Sequence, residues 1–355
     1  MCIRAALVAV VIVTTMEVAC VSAPGLGGTA SDDADADARS ADDDVIDCSA
    51  VAGVIDIAAQ VAANAGATRG RYPVVLSHGF FGFDSVGPLE YFVGVAEALR
   101  AAGFAVYVTA VEPVAATDAT RGPALGGEIE CIARASGAAR LNLVGHSQGG
   151  LDVRFVASDP EHQQRVASVT TIATPHRGTP LADAALGLMP GIADELADTL
   201  AELWGALVDA PDDQADLRAG MEQMTTANME AWNQQHPDTP GIGYFSWGGR
   251  SVAGLADLDL GEAACAGAVH ANPSARDLID PLLSATFAFL RQAAGPNDGL
   301  VDVASTRWGT FMGCLAADHM DQVGLGSISS TDPFSGFNHR DFFVNLATEL
   351  EDRGY

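Results

Sequence analysis

One short stretch constrains the fold of this chain more than any other: an apolar segment, a tight turn and a helical segment that follow one another directly. Leu141–Val144 has the composition of a buried strand, and Leu151–Val156 that of a helix. Between them Gly145 and Gly149 flank Ser147, and so tight a turn leaves no room for a side chain at either glycine. The turn exposes the serine hydroxyl beside a helix N-terminus, which favours negative charge. The sequence therefore predicts that Ser147 is a nucleophile; the alternative is a glycine-rich turn with an incidental serine.

The composition is that of a large, acidic globular chain. Its 355 residues are 48% hydrophobic and 18% charged, which is enough apolar material for a sizeable core. The formal net charge of −28 argues against nucleic acid and anionic membrane surfaces as partners, but it does not exclude neutral lipid. Much of the charge lies in residues 21–47, which are rich in aspartate, alanine, serine and glycine. We expect this stretch to be a disordered linker.

The N-terminus has the pattern of an export signal. Arg4 precedes an apolar run over residues 5–13 that is too short for a stable transmembrane helix, so we interpret residues 1–20 as a signal peptide. The chain is therefore expected to be secreted. Cys20 ends a loose lipoprotein motif in which it would be lipidated and anchor the protein to the cell envelope, although Glu17 stands where an aliphatic residue is expected. Ordinary cleavage close to Cys20 is the alternative.

Four cysteines remain when Cys2 and Cys20 are set aside with the signal peptide. No CxxC pair occurs, so in an exported chain these cysteines favour disulfides over metal ligands. The sequence alone leaves three connectivities open among this set: Cys48, Cys131, Cys265 and Cys314.

Strand and helix patterns alternate along the chain. Apolar or β-branched segments that predict strands are Tyr72–Ser77, Phe104–Val108, Leu141–Val144, Val166–Ile172 and Gly309–Leu315. Helical patterns fall at Leu89–Ala102, within Arg121–Ala135 and at Phe342–Leu350. This alternation predicts an α/β fold over residues 48–355, with a mostly parallel central sheet flanked by helices.

A serine nucleophile needs a histidine to take its proton and a carboxylate to orient that histidine. In α/β-hydrolases, whose nucleophile elbow the Ser147 turn resembles, the acid follows the serine and the histidine comes last. His319 lies in a loop after the last predicted strand, and His339 is the alternative base. Asp298 lies in an Asn-Asp-Gly turn, which can also be a plain turn, and Asp302 is the nearest competitor for the acid.

Two backbone N–H groups are expected to bind the oxyanion of the reaction. In α/β-hydrolases one comes from the loop after the first strand and the other from the residue after the nucleophile. We assign these donors to Phe80, in the loop 78–82, and to Gln148. His78 precedes the first donor, and we interpret it as a residue that orders the loop.

Several motifs together resemble the bacterial true lipases, often called the Pseudomonas lipase family. They lie between Tyr72 and about Gly324, at Tyr72–Gly79, Leu89–Tyr91, Asn142–Gly150, Ser168–Ile172, Thr174–Gly178, Tyr244–Trp247, Asn297–Val301 and Asp318–Asp321. The resemblance implies extracellular hydrolysis of triacylglycerols at a lipid–water interface by a triad of Ser147, Asp298 and His319. Many members need a dedicated membrane-bound foldase, so a foldase is an expected partner.

The resemblance also implies a mobile helical lid at about residues 180–227. Leucine and alanine recur there at helical spacing, with acidic residues between them. The alternative is an ordinary helix packed permanently on the core.

A structural Ca2+ ion and a disulfide are implied as well. Asp280 and Asp321 match calcium-binding carboxylates of the family, and the alternative is that they begin or cap helices. Leu325 stands where the family has a glutamine, so a further ligand is unassigned. The resemblance favours a Cys265–Cys314 bridge, although Cys314 lies later than the family's second cysteine; Cys48 and Cys131 would then form the other.

Two other functions fit the same residues. The same machinery could belong to a short-chain carboxylesterase or a polyester depolymerase. A protein of another class, an inactive envelope protein that uses this fold for binding, is a further alternative, although a complete set of Ser, Asp and His candidates argues against it.

Overall fold

The computed structural model describes Cys48 and residues 55–79, 85–86, 89–111, 117–187, 217–254, 263–270, 277–325 and 329–355. The expected signal peptide, the linker and Cys20 lie outside these residues. Within them, no helix combines the length and the apolar character needed to cross a bilayer.

The described residues form ten strands and ten α-helices. The strands are β1 (Arg69–Ser77), β2 (Ser85–Val86), β3 (Leu89–Glu90), β4 (Phe104–Val108), β5 (Leu141–His146), β6 (Val166–Ile172), β7 (Gly243–Gly249), β8 (Ser251–Val252), β9 (Asp277–Leu278) and β10 (Thr310–Leu315). The helices are α1 (Ile57–Ala63), α2 (Val95–Ala101), α3 (Asp118–Ser136), α4 (Gly149–Ser158), α5 (Pro180–Ala185), α6 (Leu217–Gln223), α7 (Thr226–Gln235), α8 (Ser284–Ala293), α9 (Val303–Thr306) and α10 (His339–Asp352).

A six-stranded sheet in the order β10-β7-β6-β5-β1-β4 forms the centre of the molecule. Each pair of neighbouring strands in it is parallel. Leu143 in the middle strand β5 lies opposite Val75 on one side and Val169 on the other. Every residue of β5 and β6 is buried, as expected for parallel strands covered on both faces. The predicted α/β architecture is confirmed.

Helices cover the two faces of this sheet and create two large apolar cores. Successive side chains of a strand point to opposite faces, so Val74 and Val75 belong to different cores. Val74 packs in the core that contains Phe343 of α10 and residues of α2. Val75 packs in the core that contains Ile129 of α3 and residues of α1 and α4. The two cores hold the middle strands in place and so fix the site at their ends.

The prediction of a helix over Leu89–Ala102 was wrong for the first half of that segment. Leu89–Glu90 is the short strand β3, and the helix begins only at Val95. The reason is Gly94, whose φ of 66° is left-handed and outside the helical region. The N–H of Gly94 donates to the carboxylate of Glu90 at 3.0 Å, which keeps the chain turned at this point.

Two disulfides brace the fold, Cys48–Cys131 and Cys265–Cys314. These are the pairs that the sequence analysis expected. The first attaches the segment before α1 to α3. The second attaches residues 263–270 to β10, shortly before the loop that contains His319, and so limits the movement of that loop.

Arg121 of α3 and Asp152 of α4 form an ion pair inside the protein. Arg121 Nη2 lies 2.8 Å from Asp152 Oδ2, Nε donates to the same oxygen at 2.9 Å, and both side chains are fully buried. The guanidinium also donates to the carbonyl oxygens of Val111 and His78, each at 3.2 Å. It therefore joins two helices to the loop that follows β1.

Replacement of Asp152 by alanine should destabilise the fold strongly. The buried guanidinium of Arg121 would lose its counter-charge, and removal of one partner of a buried pair costs about 3–5 kcal/mol of unfolding free energy. Chemical denaturation measures this change. The matched control is Glu222→Ala, which breaks an exposed pair with Arg218 and should cost less than about 1 kcal/mol. Equal effects of the two substitutions would contradict a structural role for the buried pair.

Candidate active site

Ser147 lies in the tight turn between the end of β5 and the start of α4. Its backbone is left-handed, with a φ of 56°, which is strained for a residue that carries a Cβ. A hydrogen bond from its N–H to the carbonyl oxygen of Ile172 in β6, at 2.8 Å, holds this conformation. A Cβ on Gly145 would approach the carbonyl oxygen of Gly149 to 2.4 Å, so the turn does require glycine there. The predicted strand, turn and helix are all present.

The loop after β1 passes directly beside Ser147. A Cβ on Gly79 would lie 2.6 Å from the Cβ of Ser147 and 2.8 Å from the hydroxyl oxygen of Tyr91, so the backbone of the loop lies close to the serine. Phe80, the expected oxyanion donor of this loop, lies outside the described residues. Gln148, the other expected donor, is fully buried and precedes the first residue of α4.

Asp298 and His319 contact each other through both side chain and backbone. His319 Nδ1 donates to Asp298 Oδ2 at 2.8 Å, and the backbone N–H of His319 donates to the Asp298 carbonyl oxygen at 2.9 Å. The other carboxylate oxygen, Oδ1, accepts from the N–H groups of Leu300 and Val301 at 3.0 and 2.8 Å. Asp298 is fully buried and His319 is 6% exposed. The predicted acid and base therefore form one rigid unit.

This unit lies next to the Ser147 turn. The ring centroids of His319 and His146 are 4.6 Å apart, and His146 immediately precedes Ser147. Because Nδ1 of His319 donates to Asp298, Nε2 is the nitrogen that can accept a proton from a hydroxyl. β5 and β10 are members of one parallel sheet, so the segments that follow them leave from the same edge, where α/β proteins place their ligands.

The alternative acid and base have other contacts. His339 Nε2 donates to the carbonyl oxygen of Val93 at 2.8 Å, at the start of α10. Asp302 caps α9, where its Oδ1 accepts from the N–H of Ser305 at 2.9 Å. These contacts favour His319 and Asp298 over the two alternatives.

Two further histidines beside the site are held neutral. Burial, aided by the charge of Arg121, lowers the pKa of His78 to about 3. Burial, aided by His319, also lowers the pKa of His146 well below its ordinary value. His78 Nδ1 hydrogen bonds with the carbonyl oxygen of Gly79 at 3.0 Å, which agrees with the expected role in ordering the loop.

Three carboxylates converge at the turn that contains His319. One oxygen each of Asp280, Asp318 and Asp321 lie within 4.8 Å of one another. Asp318 is fully buried, and burial together with the charges of Asp321 and Asp280 raises its pKa to about 7. Its Oδ1 accepts from the N–H of Met320 and of Asp321, both at 3.0 Å. Carboxylate oxygens in this arrangement are ligands of the kind that Ca2+ prefers.

A second carboxylate group shares Asp321 with the first and also contains Asp277 and Asp332. Asp277 Oδ2 accepts from the hydroxyl of Ser251 at 2.6 Å, whereas its buried Oδ1 has no hydrogen-bond partner among the described residues. Burial, together with the neighbouring carboxylates, raises the pKa of Asp277 to about 8. Carboxyl groups are therefore concentrated around Asp321.

Sequence reasoning missed two polar residues beside His319. Asp318 lies inside the motif that carries His319, and its spacing of three residues from Asp321 could have indicated a shared site. Gln322 donates from Nε2 to Asp298 Oδ2 at 2.9 Å. No sequence pattern indicates that contact, because it depends on how the turn packs against the Asn-Asp-Gly turn.

The expected lid is largely outside the described residues, which omit 188–216. The described parts of the 180–227 segment are α5, α6 and the start of α7. Their apolar side chains pack against Leu151 of α4 in a separate small core, whose members include Ala182, Met221 and Met229. These helices therefore attach both ends of the segment to the helix that begins at the Ser147 turn.

Comparisons with known proteins agree with this geometry. Residues 72–210 match the α/β-hydrolase fold family. The chain is 31% identical to a triacylglycerol lipase of Vibrio cholerae over 76% of this chain and 86% of that one, and 32% identical to a triacylglycerol lipase of Pseudomonas fragi over 80% and 97%. The mature lipase BlEst2 of Bacillus licheniformis shares the fold, with a TM-score of 0.56 at 20% identity over 80% of this chain and 94% of that one.

These matches confirm the resemblance that the motifs indicated. The identity extends over nearly the whole length of the Pseudomonas fragi protein. The chain therefore belongs to the bacterial lipases of the α/β-hydrolase superfamily.

Proposed function

We propose that this lipase hydrolyses the ester bonds of triacylglycerols with Ser147 as nucleophile, His319 as general base and acid, and Asp298 as the carboxylate that orients His319. The observation that carries the proposal is the 2.8 Å hydrogen bond between His319 and Asp298 beside the strained serine turn. The curated relatives named triacylglycerol lipases support the choice of substrate.

In the first half of the reaction, His319 Nε2 takes the proton of Ser147 while the serine oxygen attacks the ester carbonyl carbon. Asp298 stabilises the imidazolium that forms. The carbonyl electron pair moves to the oxygen, and the oxyanion is bound by the N–H groups of Gln148 and Phe80. The C–O bond to the glycerol then breaks, and His319 gives its proton to the leaving alkoxide.

In the second half, water hydrolyses the acyl-enzyme. His319 takes a proton from the water as its oxygen attacks the acyl carbon, and a second oxyanion forms. When that intermediate collapses, the bond to Ser147 breaks and the serine oxygen recovers a proton from His319. The fatty acid leaves, and the enzyme returns to its starting state.

We also propose that Asp280, Asp321 and Asp318 hold a structural Ca2+ ion. Asp280 precedes a short 3-10 helix, Pro281–Leu283, but its side chain makes no capping bond there, which argues against a role as a helix cap. The converging carboxylate oxygens of these three residues fit a hard cation. When bound, the ion supplies positive charge that holds the turn bearing His319.

We also propose that the protein is secreted and that a foldase assists its folding. The arginine and apolar run at the N-terminus support secretion, with a lipid anchor on Cys20 as the alternative form. A foldase partner rests on the family resemblance. A mobile lid within residues 180–227 would cover the site in water and turn its apolar face to lipid.

Substitution of Ser147 by alanine should reduce kcat on tributyrin by at least about 10⁴-fold, because removal of a triad nucleophile leaves only binding and oxyanion stabilisation. The control is Ser136→Ala, a change in α3 that should leave the rate within about twofold of wild type. Titration of released butyrate measures both. A Ser147→Ala protein that keeps substantial activity would overturn the proposed nucleophile.

If the 180–227 segment is a lid that opens on lipid, the rate on triolein or tributyrin should rise sharply once substrate exceeds its solubility and forms an emulsion. A lid that uncovers its apolar face only at an interface has this consequence. The same measurement with dissolved short-chain esters provides the comparison. Equal rates on dissolved and emulsified esters would favour a carboxylesterase instead.

Calcium should stabilise the wild-type protein, by about 2.7 kcal/mol at a concentration a hundred times its Kd. Thermal melting with calcium and with a chelator measures this. Asp280→Asn should abolish the difference between the two conditions, whereas Asp352→Asn, at an exposed position of α10, should preserve it. A melting temperature that is insensitive to the chelator would contradict the proposed ion.

A further inference from the structure

We propose that Gln322 is a positioning residue for the catalytic carboxylate, and that its side-chain amide holds Asp298 in the orientation that His319 requires. This inference rests on the proposed triad. Asp298 Oδ2 accepts two hydrogen bonds, from His319 Nδ1 at 2.8 Å and from Gln322 Nε2 at 2.9 Å. The glutamine therefore shares one oxygen with the histidine.

The chemistry of the partners fixes which end of the amide faces Asp298. An ionised carboxylate can only accept hydrogen bonds, so the nitrogen of Gln322 must face it and the oxygen must point away. Gln322 Oε1 is buried and has no hydrogen-bond partner among the described residues, so the bond to Asp298 is the contact that orients the amide.

Burial and packing indicate that the contact is specific. Gln322 is fully buried, and a buried amide nitrogen is costly unless it is paired, as Nε2 is with Asp298. A Cβ on Gly249, the last residue of β7, would lie 2.0 Å from Gln322 Nε2 and 2.7 Å from the Cβ of Asp298. The strand thus makes room for the amide at this point. The backbone N–H of Gln322 also donates to the carbonyl oxygen of Asp318 at 3.2 Å, so Gln322 belongs to the turn that carries His319.

Loss of the amide donor should lower kcat and leave KM nearly unchanged. The carboxylate would lose one of the contacts that fix its plane, so His319 would be less well oriented for proton transfer, whereas the contacts that bind the substrate would remain. A residue that only filled space would lower stability without this difference between kcat and KM.

The test compares Gln322→Met, which keeps the shape but removes the donor, with the matched control Gln60→Met. Gln60 also makes two side-chain hydrogen bonds, to the backbone of Val108 in β4, and it lies in α1. On tributyrin, Gln322→Met should lower kcat by about 10- to 100-fold with little change in KM, as expected for a lost hydrogen bond to a charged group. Gln60→Met should lower the melting temperature and leave kcat within about twofold of wild type.

Gln322→Leu, which also lacks the donor, provides a second variant should the methionine not fold. It should likewise lower kcat with little change in KM. Folded Gln322 variants whose kcat equals that of wild type would overturn the inference alone. An inactive wild type, or a fully active Ser147→Ala, would overturn the proposed function and this inference together.

Discussion

The chemistry of this molecule depends on the hydrogen bond between His319 and Asp298, which joins two irregular segments of the chain. Neither residue belongs to a strand or to a helix. Asp298 is fixed by two backbone N–H groups at Oδ1, and His319 by its own N–H bond to the Asp298 carbonyl oxygen. The imidazole is therefore oriented before any substrate arrives, which is what a general base requires.

The turn that contains His319 has two roles. His319 must face Ser147, and the neighbouring Asp318 and Asp321 lie close to Asp280. Three carboxylates so close repel one another when all are ionised, in agreement with the raised pKa of Asp318, which burial and these neighbours cause. The Cys265–Cys314 bridge limits movement at the start of this segment, and a bound calcium ion would remove the repulsion at its end. Stability and catalytic geometry would then be coupled through one turn.

The parts of the site that sequence could predict are those set by local physics. The Ser147 turn was readable because tight backbone geometry requires glycine at fixed positions. Asp298 and His319 were readable through chain order and a family resemblance. The Gln322 contact could not be predicted, because a contact between residues that are distant in the sequence produces no pattern in their spacing. The start of the helix was predicted too early because the apolar periodicity begins before Gly94, whose left-handed backbone delays the helix to Val95.

The most direct test is a crystal structure of the enzyme labelled with an alkyl phosphonate that mimics the first tetrahedral intermediate. The account predicts phosphorus bonded to Ser147 Oγ, a phosphonyl oxygen that accepts from the Gln148 N–H, and His319 Nε2 within about 3 Å of Ser147 Oγ or a phosphonate oxygen. Label on another residue, or a His319 ring turned away from Ser147 while still bound to Asp298, would contradict it.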